Sequence, residues 1–349
     1  AQWWDEGILP RDLITQMGDL GLLGMHLDGY GCAGTSAIAY GLACTELEAG
    51  DSGIRSFISV QGSLAMYPIW AFGSEDQKQQ WLPGMAAGEI IGCFGLTEQD
   101  SGSDPGAMRT TATQQSGDWI LNGSKMWITN GSIADVAIVW AVTDDGVRGF
   151  IVPTDTDGFS ANDITQKMSL RASVTSELVF DNVRLPSDAV LPDARGLRGP
   201  LSCLNEARFG IIFGAVGAAR ACYESALQYS LEREQFGKPI ASFQLTQKKL
   251  VEMMVAVNNG MLLAIHLGRK NDEGTLAAEH VNYGKYVNVG MALGVAREAR
   301  AVLGANGITL AYPVIRHMNN LESVYTYEGT NEIHTLVLGQ AITGIAAFE

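Results

Sequence analysis

Trp119-Ile-Leu-Asn-Gly123, Val136-Ala-Ile-Val-Trp-Ala-Val142, Gly149-Phe-Ile-Val152 and Glu177-Leu-Val-Phe180 are a succession of short β-prone runs in the middle of the chain. Branched and aromatic side chains suit a pleated, half-buried surface, and Ser116-Gly117, Asn122-Gly123 and Asp144-Asp145-Gly146 supply turn residues between them. This pattern predicts a small β domain that begins near residue 93. On either side the character changes. Residues 1–92 read mainly as helices, as in Pro10-Arg-Asp-Leu-Ile-Thr-Gln-Met-Gly18 and Ser36 to Glu48, with Gly and Asp turns between them. Leu191 to Pro200, rich in Gly, Pro and Arg, reads as a connector. Beyond it, helical patterns run over about 201–233, 242–270, 275–304 and 330–347, broken at Gly237-Lys-Pro239, Asn271-Asp-Glu-Gly274 and Gly304-Ala-Asn-Gly307. Four long helices in series predict an antiparallel bundle. The expected fold is therefore mainly α with a middle β domain: a helical N-terminal domain (1–92), the β domain (93–195) and a C-terminal four-helix bundle (196–349).

The chain's 349 residues suffice for two or three cores, and 46% apolar with 17% charged residues is a globular composition, not a disordered one. Its 38 acidic and 23 basic residues leave a net charge of −15, which argues against nucleic acid or an anionic membrane as the main partner. A phosphate-bearing ligand stays compatible, because a few local cations and helix N-termini can hold one. The longest uncharged stretch, Ser56 to Ser74, carries Gln61 and Pro68 and makes a poor transmembrane segment. Five scattered cysteines (Cys32, Cys44, Cys93, Cys203, Cys222) with no CxxC pair predict buried reduced thiols. The five histidines (His26, His266, His280, His317, His334) show no metal-ligand spacing, so each is expected on the surface or satisfied in a core, and no metal is expected. Gly29-Tyr-Gly-Cys-Ala-Gly34 follows no clear strand and reads as a turn, not a dinucleotide fingerprint.

Three segments carry candidate chemistry. In Cys93-Phe-Gly-Leu-Thr-Glu-Gln-Asp-Ser-Gly-Ser-Asp104, Thr97 and Ser103 offer hydroxyls and Gly102 lets backbone N–H groups approach an anion; the plain alternative is a polar turn. Lys125-Met-Trp-Ile-Thr-Asn130 is either a strand with a core Trp or an aromatic wall beside a hydroxyl. In Tyr325-Thr-Tyr-Glu-Gly-Thr-Asn-Glu-Ile-His334, Glu328 among aromatics suits a desolvated general base, or else a helix-start acid complementing the dipole.

Together and in this order, these segments resemble the acyl-CoA dehydrogenase family over nearly the whole chain. The resemblance implies the same three-part fold, with a β-barrel-like middle domain, and a further helix ahead of the point where this chain starts. It implies FAD as cofactor, an acyl-CoA substrate, an electron-transfer flavoprotein as acceptor, a homotetramer, and a bacterial cytoplasmic or mitochondrial-matrix setting. Carried over by position, Thr97 and Thr129 would bond the flavin ring and Trp127 would pack beside it. Ser103 would lie near the pyrophosphate and the CoA tail, and Thr330 would hold the cofactor from the last helical region. Arg233, Phe236 and Gln244 would serve the FAD of a neighbouring subunit. Arg208 matches a CoA-side position and Glu328 the catalytic base; Ala207, where some relatives place the base, cannot take a proton. Ala305 and Glu332 depart from the family pattern at positions near the cofactor.

Within the family the chain is similar to the glutaryl-CoA dehydrogenase subgroup, through Gly29 to Gly34, Asp51-Ser-Gly-Ile-Arg-Ser-Phe-Ile-Ser-Val-Gln61, Lys167-Met-Ser-Leu-Arg-Ala-Ser173 and Ile342-Thr-Gly-Ile-Ala346. This implies that Arg55 receives the substrate's distal carboxylate, with Ser59, Glu48 and Tyr327 lining the distal pocket. The implied reaction is oxidative decarboxylation of glutaryl-CoA to crotonyl-CoA and CO2, by α-proton abstraction at Glu328 and β-hydride transfer to flavin. Two other readings stay open: a plain short-chain acyl-CoA dehydrogenase, in which Arg55 makes only a surface pair with Asp51 four residues earlier, and a silent FAD- or acyl-CoA-binding protein.

Overall fold

The computed structural model describes residues 1–347. The N-terminal part is helical: α1 (Gln2–Glu6), α2 (Arg11–Asp19), α3 (Ala37–Gly50), α4 (Ser52–Ser59), α5 (Tyr67–Phe72) and α6 (Glu75–Ala86). The starts are capped by local chemistry. Ser36 accepts from the Ala39 N–H at 3.2 Å, Asp51 accepts from the Gly53 N–H at 2.7 Å, and Ser74 with Gln77 forms a reciprocal capping box. Between α4 and α5 the chain does not break. Val60–Met66 winds as a π-helix in which all seven side chains are buried, packed between a C-terminal helix and the sheet. The longest uncharged stretch of the sequence is thus an interior helix, and π-segments of this kind gather at functional sites.

The middle part is a seven-stranded sheet: β1 (Gly92–Gly95), β2 (Thr111–Gln115), β3 (Asp118–Thr129), β4 (Val136–Thr143), β5 (Gly146–Pro153), β6 (Phe159–Asp163) and β7 (Thr175–Leu185). The order is β1-β4-β2-β3-β7-β6, with β5 on β4 and β1 parallel to β4. All four β-prone runs lie in strands. Ser116-Gly117 and Asp144-Asp145-Gly146 turn as expected, but Asn122-Gly123 does not. It lies inside β3, at a bulge opposite β7, and only glycine suits the position, because φ is +139° and a Cβ there would come within 2.6–2.9 Å of Thr110. β2 and β6 are short and mostly polar, so periodicity does not mark them.

The C-terminal part holds α7 (Arg198–Glu232), a small hairpin of β8 (Glu234–Gln235) and β9 (Lys238–Pro239), then α8 (Gln244–Asp272), α9 (Ala278–Val302), α10 (Val314–Thr326) and α11 (Asn331–Thr343). Among the described residues, five α-helices stand where the sequence pattern gives four. The extra one, α10, packs on α7 and α9, and its buried face mixes Arg316, His317 and Asn320 with Val314, Leu321 and Val324. Those polar residues interrupt the apolar period. α11 stops at Thr343, short of 347, because Gly344 supplies a left-handed cap (φ 74°); the last two residues of the expected C-terminal domain lie outside the described residues. α8 is long and apolar enough to cross a membrane by length and composition, yet it packs through Leu250, Met253, Gly260, Ala264 and Leu267 into the bundle.

α3 lies along α7 with backbones in contact: a Cβ on Gly217 would sit 2.0 Å from the Thr45 carbonyl oxygen. This close approach brings the C-terminal end of α3, with Glu48, against α7 at Gly214. Fully buried Trp140, Phe150 and Phe213 anchor the interior, each contributing about 1.5–3 kcal/mol by burial.

Candidate active site

The loop Tyr327-Glu-Gly-Thr330 joins α10 to α11 in the interior of the helical region. Glu328 (φ 52°) and Gly329 (φ 95°) are both left-handed, which reverses the chain within two residues. A non-glycine residue in that region costs about 1 kcal/mol or more and persists only where its surroundings determine it. Here they do. Arg208 Nε donates to the Glu328 carbonyl at 2.5 Å; Lys285 Nζ donates to the Tyr327 carbonyl and, at 2.6 Å, to the Gly329 carbonyl. Thr330 caps α11 by accepting from the Ile333 N–H at 3.2 Å. A Cβ on Gly329 would come within 2.8 Å of the His334 ring and 3.1 Å of Arg208. His334 itself donates Nδ1–H to Asn282 Oδ1 at 2.6 Å, since the Asn282 amide nitrogen is spent on the Ala278 carbonyl.

The Glu328 carboxyl lies in this interior with one oxygen, Oε2, buried and without a hydrogen-bond partner. Burial raises its pKa, while the charges of Arg55, Lys285 and Arg208 act in the opposite sense. A half-buried carboxyl with one buried, free oxygen, poised above its ordinary range, has the character of a general base and not of a cap.

Arg55 is fully buried on α4. It donates through Nε to Glu48 Oε2 at 2.6 Å, through one Nη to Ser59 Oγ at 3.2 Å and through the other to the Tyr327 hydroxyl. Burial opposes its charge, but Glu48 and Tyr327 outweigh it and hold the guanidinium firmly protonated. The pairing with Asp51 is therefore ruled out. Asp51 bonds instead to Arg316 and Asn320 on α10 and caps α4. Glycines on α7 make room for the Arg55 cluster: a Cβ on Gly214 would lie 2.0 Å from Glu48 Oε2 and 3.1 Å from Arg55 Nε.

A second group lies on the sheet. Trp127 sits at the bulge where the β3–β7 register slips, at φ 64°, and is 60% exposed. It is not a core Trp; the bulge turns its indole outward. Met126 N–H donates to the Thr97 carbonyl at 2.8 Å, so half-buried Thr97 lies beside the bulge, and half-buried Thr129 follows it. The adjoining loop is held by a buried pair: Glu98 accepts from Lys125 Nζ at 2.8 Å and from the Arg109 and Thr110 N–H groups at 2.6 and 2.9 Å. Burial alone would raise the Glu98 pKa, but these donors bring it down to about 2. Ser103 is exposed at the loop tip, and the space beside Gly102 is open.

Arg233, Phe236 and Gln244 form a third group on the outer surface, around the β8–β9 hairpin. Phe236 is 93% exposed at φ 54°. Thus Glu328, Tyr327, Arg55, Ser59, Glu48 and Arg208 come together, with Thr330 adjoining, while the sheet and hairpin groups stand apart. Sequence reasoning missed Lys285, the Glu98–Lys125 pair and Gly214. A lone lysine on an α9 face otherwise made of Val281, Gly284, Asn288 and Ala292 was the available signal.

Glu206, another candidate base, is half-buried on α7 and lines a cavity of about 170 Å³ with Tyr67, Asn205, Phe209 and Val281; burial pushes its carboxyl up to about 7. The histidine expectation needs correcting: half-buried His26 and buried His317 both have their ring nitrogens buried and unpartnered, and burial lowers both to about 4, so they are neutral. All five cysteines are free and four are buried, and no metal-ligating cluster occurs among the described residues.

Three family models cover the chain: acyl-CoA dehydrogenase N-terminal domain over residues 1–89, middle domain over 93–183 and C-terminal domain over 194–343. A crystal structure of glutaryl-CoA dehydrogenase from Mycobacterium smegmatis is 67% identical, with a TM-score of 0.99, covering 100% of this chain and 90% of that one. Another glutaryl-CoA dehydrogenase structure from the same organism, in complex with FADH2, is 62% identical with a TM-score of 0.99 and the same coverage. A short-chain specific acyl-CoA dehydrogenase of Megasphaera elsdenii is 36% identical over 97% of this chain and 91% of its own length. With its three-part architecture and these matches, the chain belongs to the acyl-CoA dehydrogenase family.

Proposed function

We propose that the protein is an FAD-dependent glutaryl-CoA dehydrogenase that oxidises and decarboxylates glutaryl-CoA to crotonyl-CoA and CO2. The observation that carries this reading is Arg55. A guanidinium has five N–H donors, and three are bonded to Glu48, Ser59 and Tyr327. The two left over can donate to a carboxylate in the interior that also holds Glu328. A plain acyl chain offers those two buried donors no acceptor. The likeness to two glutaryl-CoA dehydrogenase structures at 62–67% identity supports the same substrate.

The residues fit a bound FAD. Trp127 is 60% exposed, close in the fold to half-buried Thr97 and Thr129, and a flat ring system would cover its indole. Ser103, Thr330 and, from a neighbouring subunit, Arg233, Phe236 and Gln244 would hold the rest. When bound, the flavin supplies the hydride acceptor. Glu328 takes the α-proton of the thioester, and its raised pKa improves the match to that weak acid. The Glu328 backbone N–H, held by the clamped carbonyls around it, is the donor this chain offers to the developing enolate oxygen. Arg208 lies on the CoA side, and Arg55 with Ser59, Glu48 and Tyr327 receives the distal carboxylate.

A homotetramer fits an apolar stripe on the outer face of α8 (Leu245, Val251, Met254, Val255, Leu262) and exposed Phe236, which a neighbour would cover. An electron-transfer flavoprotein is the proposed acceptor. The test is anaerobic mixing with glutaryl-CoA or butyryl-CoA while flavin absorbance and CO2 are followed. Bleaching with CO2 release on glutaryl-CoA supports the reading. Equal bleaching on both without CO2 moves it to a plain short-chain dehydrogenase, and a colourless protein that takes up no FAD sinks it.

A further inference from the structure

We propose that Lys285 is a positioning residue for the base: its ammonium clamps the carbonyls on both sides of Glu328 and supplies the positive charge that keeps the Glu328 carboxyl ionised and able to accept a proton. The inference rests on the reading of Glu328 as the base. Lys285 is 1% exposed on α9, and its Nζ donates to Tyr327 O and Gly329 O, while Arg208 from α7 donates to the carbonyl between them. Three successive carbonyls are thus held by two buried cations from two helices. That arrangement dictates the left-handed pair Glu328–Gly329, and with it the directions of the Glu328 N–H and side chain.

The clamp is also electrostatic. No carboxylate forms an ion pair with Lys285 among the described residues, and the one carboxylate whose charge acts on it is Glu328. Burial, with Arg208 and Arg55, pulls Lys285 down and the Glu328 charge works against them, leaving it at about 7. The charged and titratable groups facing Glu328 are Arg55 on α4, Glu48 on α3, Arg208 on α7, Lys285 on α9 and, beside it, Tyr327 and His334. His334 is held neutral, at about 3, by burial and the nearby cations, and Tyr327 is pushed up to about 12 by burial, so neither carries charge near neutral pH. Removing Lys285 leaves two arginines against two carboxylates, and the Glu328 carboxyl then holds its proton to higher pH.

The test uses the FAD-loaded enzyme with glutaryl-CoA, in wild type, Lys285→Gln, Lys285→Arg and Glu328→Gln. Lys285→Gln keeps a donor but loses the charge. It should lower the limiting rate of anaerobic flavin reduction about 100-fold near neutral pH and move the acid limb of its pH profile upward by about one unit, with KM changed less than about threefold. Infrared spectra of each variant against its Glu328→Gln counterpart should show the protonated carboxyl band disappearing about one unit higher in Lys285→Gln than in wild type. Lys285→Arg keeps the charge in a bulkier head, so the rate should fall about tenfold while the acid limb stays in place. An unmoved limb and band in Lys285→Gln, whatever its melting temperature, overturns the proposal. If Lys285→Gln does not fold, Lys285→Arg decides: a wild-type rate, or a displaced limb, overturns it. Wild-type flavin reduction in Glu328→Gln would instead refute the base reading itself.

Discussion

Replacing Arg55 separates the glutaryl-CoA reading from a plain acyl-CoA one, and the structure changes how the experiment must be done. Arg55 and Glu48 are both fully buried, and Glu48 Oε1 already lacks a partner. Arg55→Met strands the Glu48 carboxylate in the interior, at a cost of about 3–5 kcal/mol, whichever substrate is offered. The double variant Arg55→Met/Glu48→Gln removes both charges, and such replacements are often close to neutral in stability. Loss of a charge-assisted bond to the substrate carboxylate is worth about 1.5–3 kcal/mol, or roughly 10- to 150-fold in kcat/KM. The double variant should therefore melt near wild type and lose that factor on glutaryl-CoA, while butyryl-CoA turnover changes less than about threefold. The assay is stopped-flow flavin reduction on both substrates at matched FAD occupancy. Equal losses on the two substrates in the double variant would refute the carboxylate-anchor role.

Other expectations follow from the same geometry. Gly214→Ala drives a methyl to within 2.0 Å of Glu48 Oε2; it should cost about 1–3 kcal/mol and erode glutaryl-CoA turnover more than butyryl-CoA turnover, and a variant with wild-type melting and selectivity would contradict the packing account. Burial raises Glu206 from 4.5 to about 7. Its contribution to stability is therefore full below about 4.5 and lost as pH rises through about 7. Glu206→Gln removes that loss, so its melting temperature should exceed wild type above pH 7 by an amount equivalent to about 1–3 kcal/mol, and parallel melting curves from pH 4.5 to 8 would count against it. Trp127→Ala deletes an exposed side chain, so the fold should hold while FAD retention through gel filtration falls; unchanged retention would remove Trp127 from the cofactor site.

Much was legible before any contact was known. The β-prone runs gave the middle sheet, since period and residue type are local properties, and the long C-terminal patterns gave α7, α8, α9 and α11. Glu328 stood out as a carboxylate among aromatics ahead of a Gly-Thr helix start, which is again local chemistry. What the sequence alone could not assign were the partners of buried polar groups. Asp51 lies four residues before Arg55, yet its charge goes to Arg316, 265 residues on, while Arg55 turns to Glu48 and to Tyr327, 272 residues on. α10 hid because its buried face carries Arg316, His317 and Asn320; Arg316 and Asn320 are satisfied there through distant Asp51 and Trp4, and His317 is neutral. Lys285 read as one more helix residue until α9 met the 327–329 carbonyls, and the choice between a core Trp127 and an aromatic wall stayed open until a bulge turned it outward. Periodicity records which face of an element is buried. Which charge answers which, and which backbone a side chain clamps, depends on how close two helices come, and here glycines such as Gly214 and Gly217 on α7 set that distance.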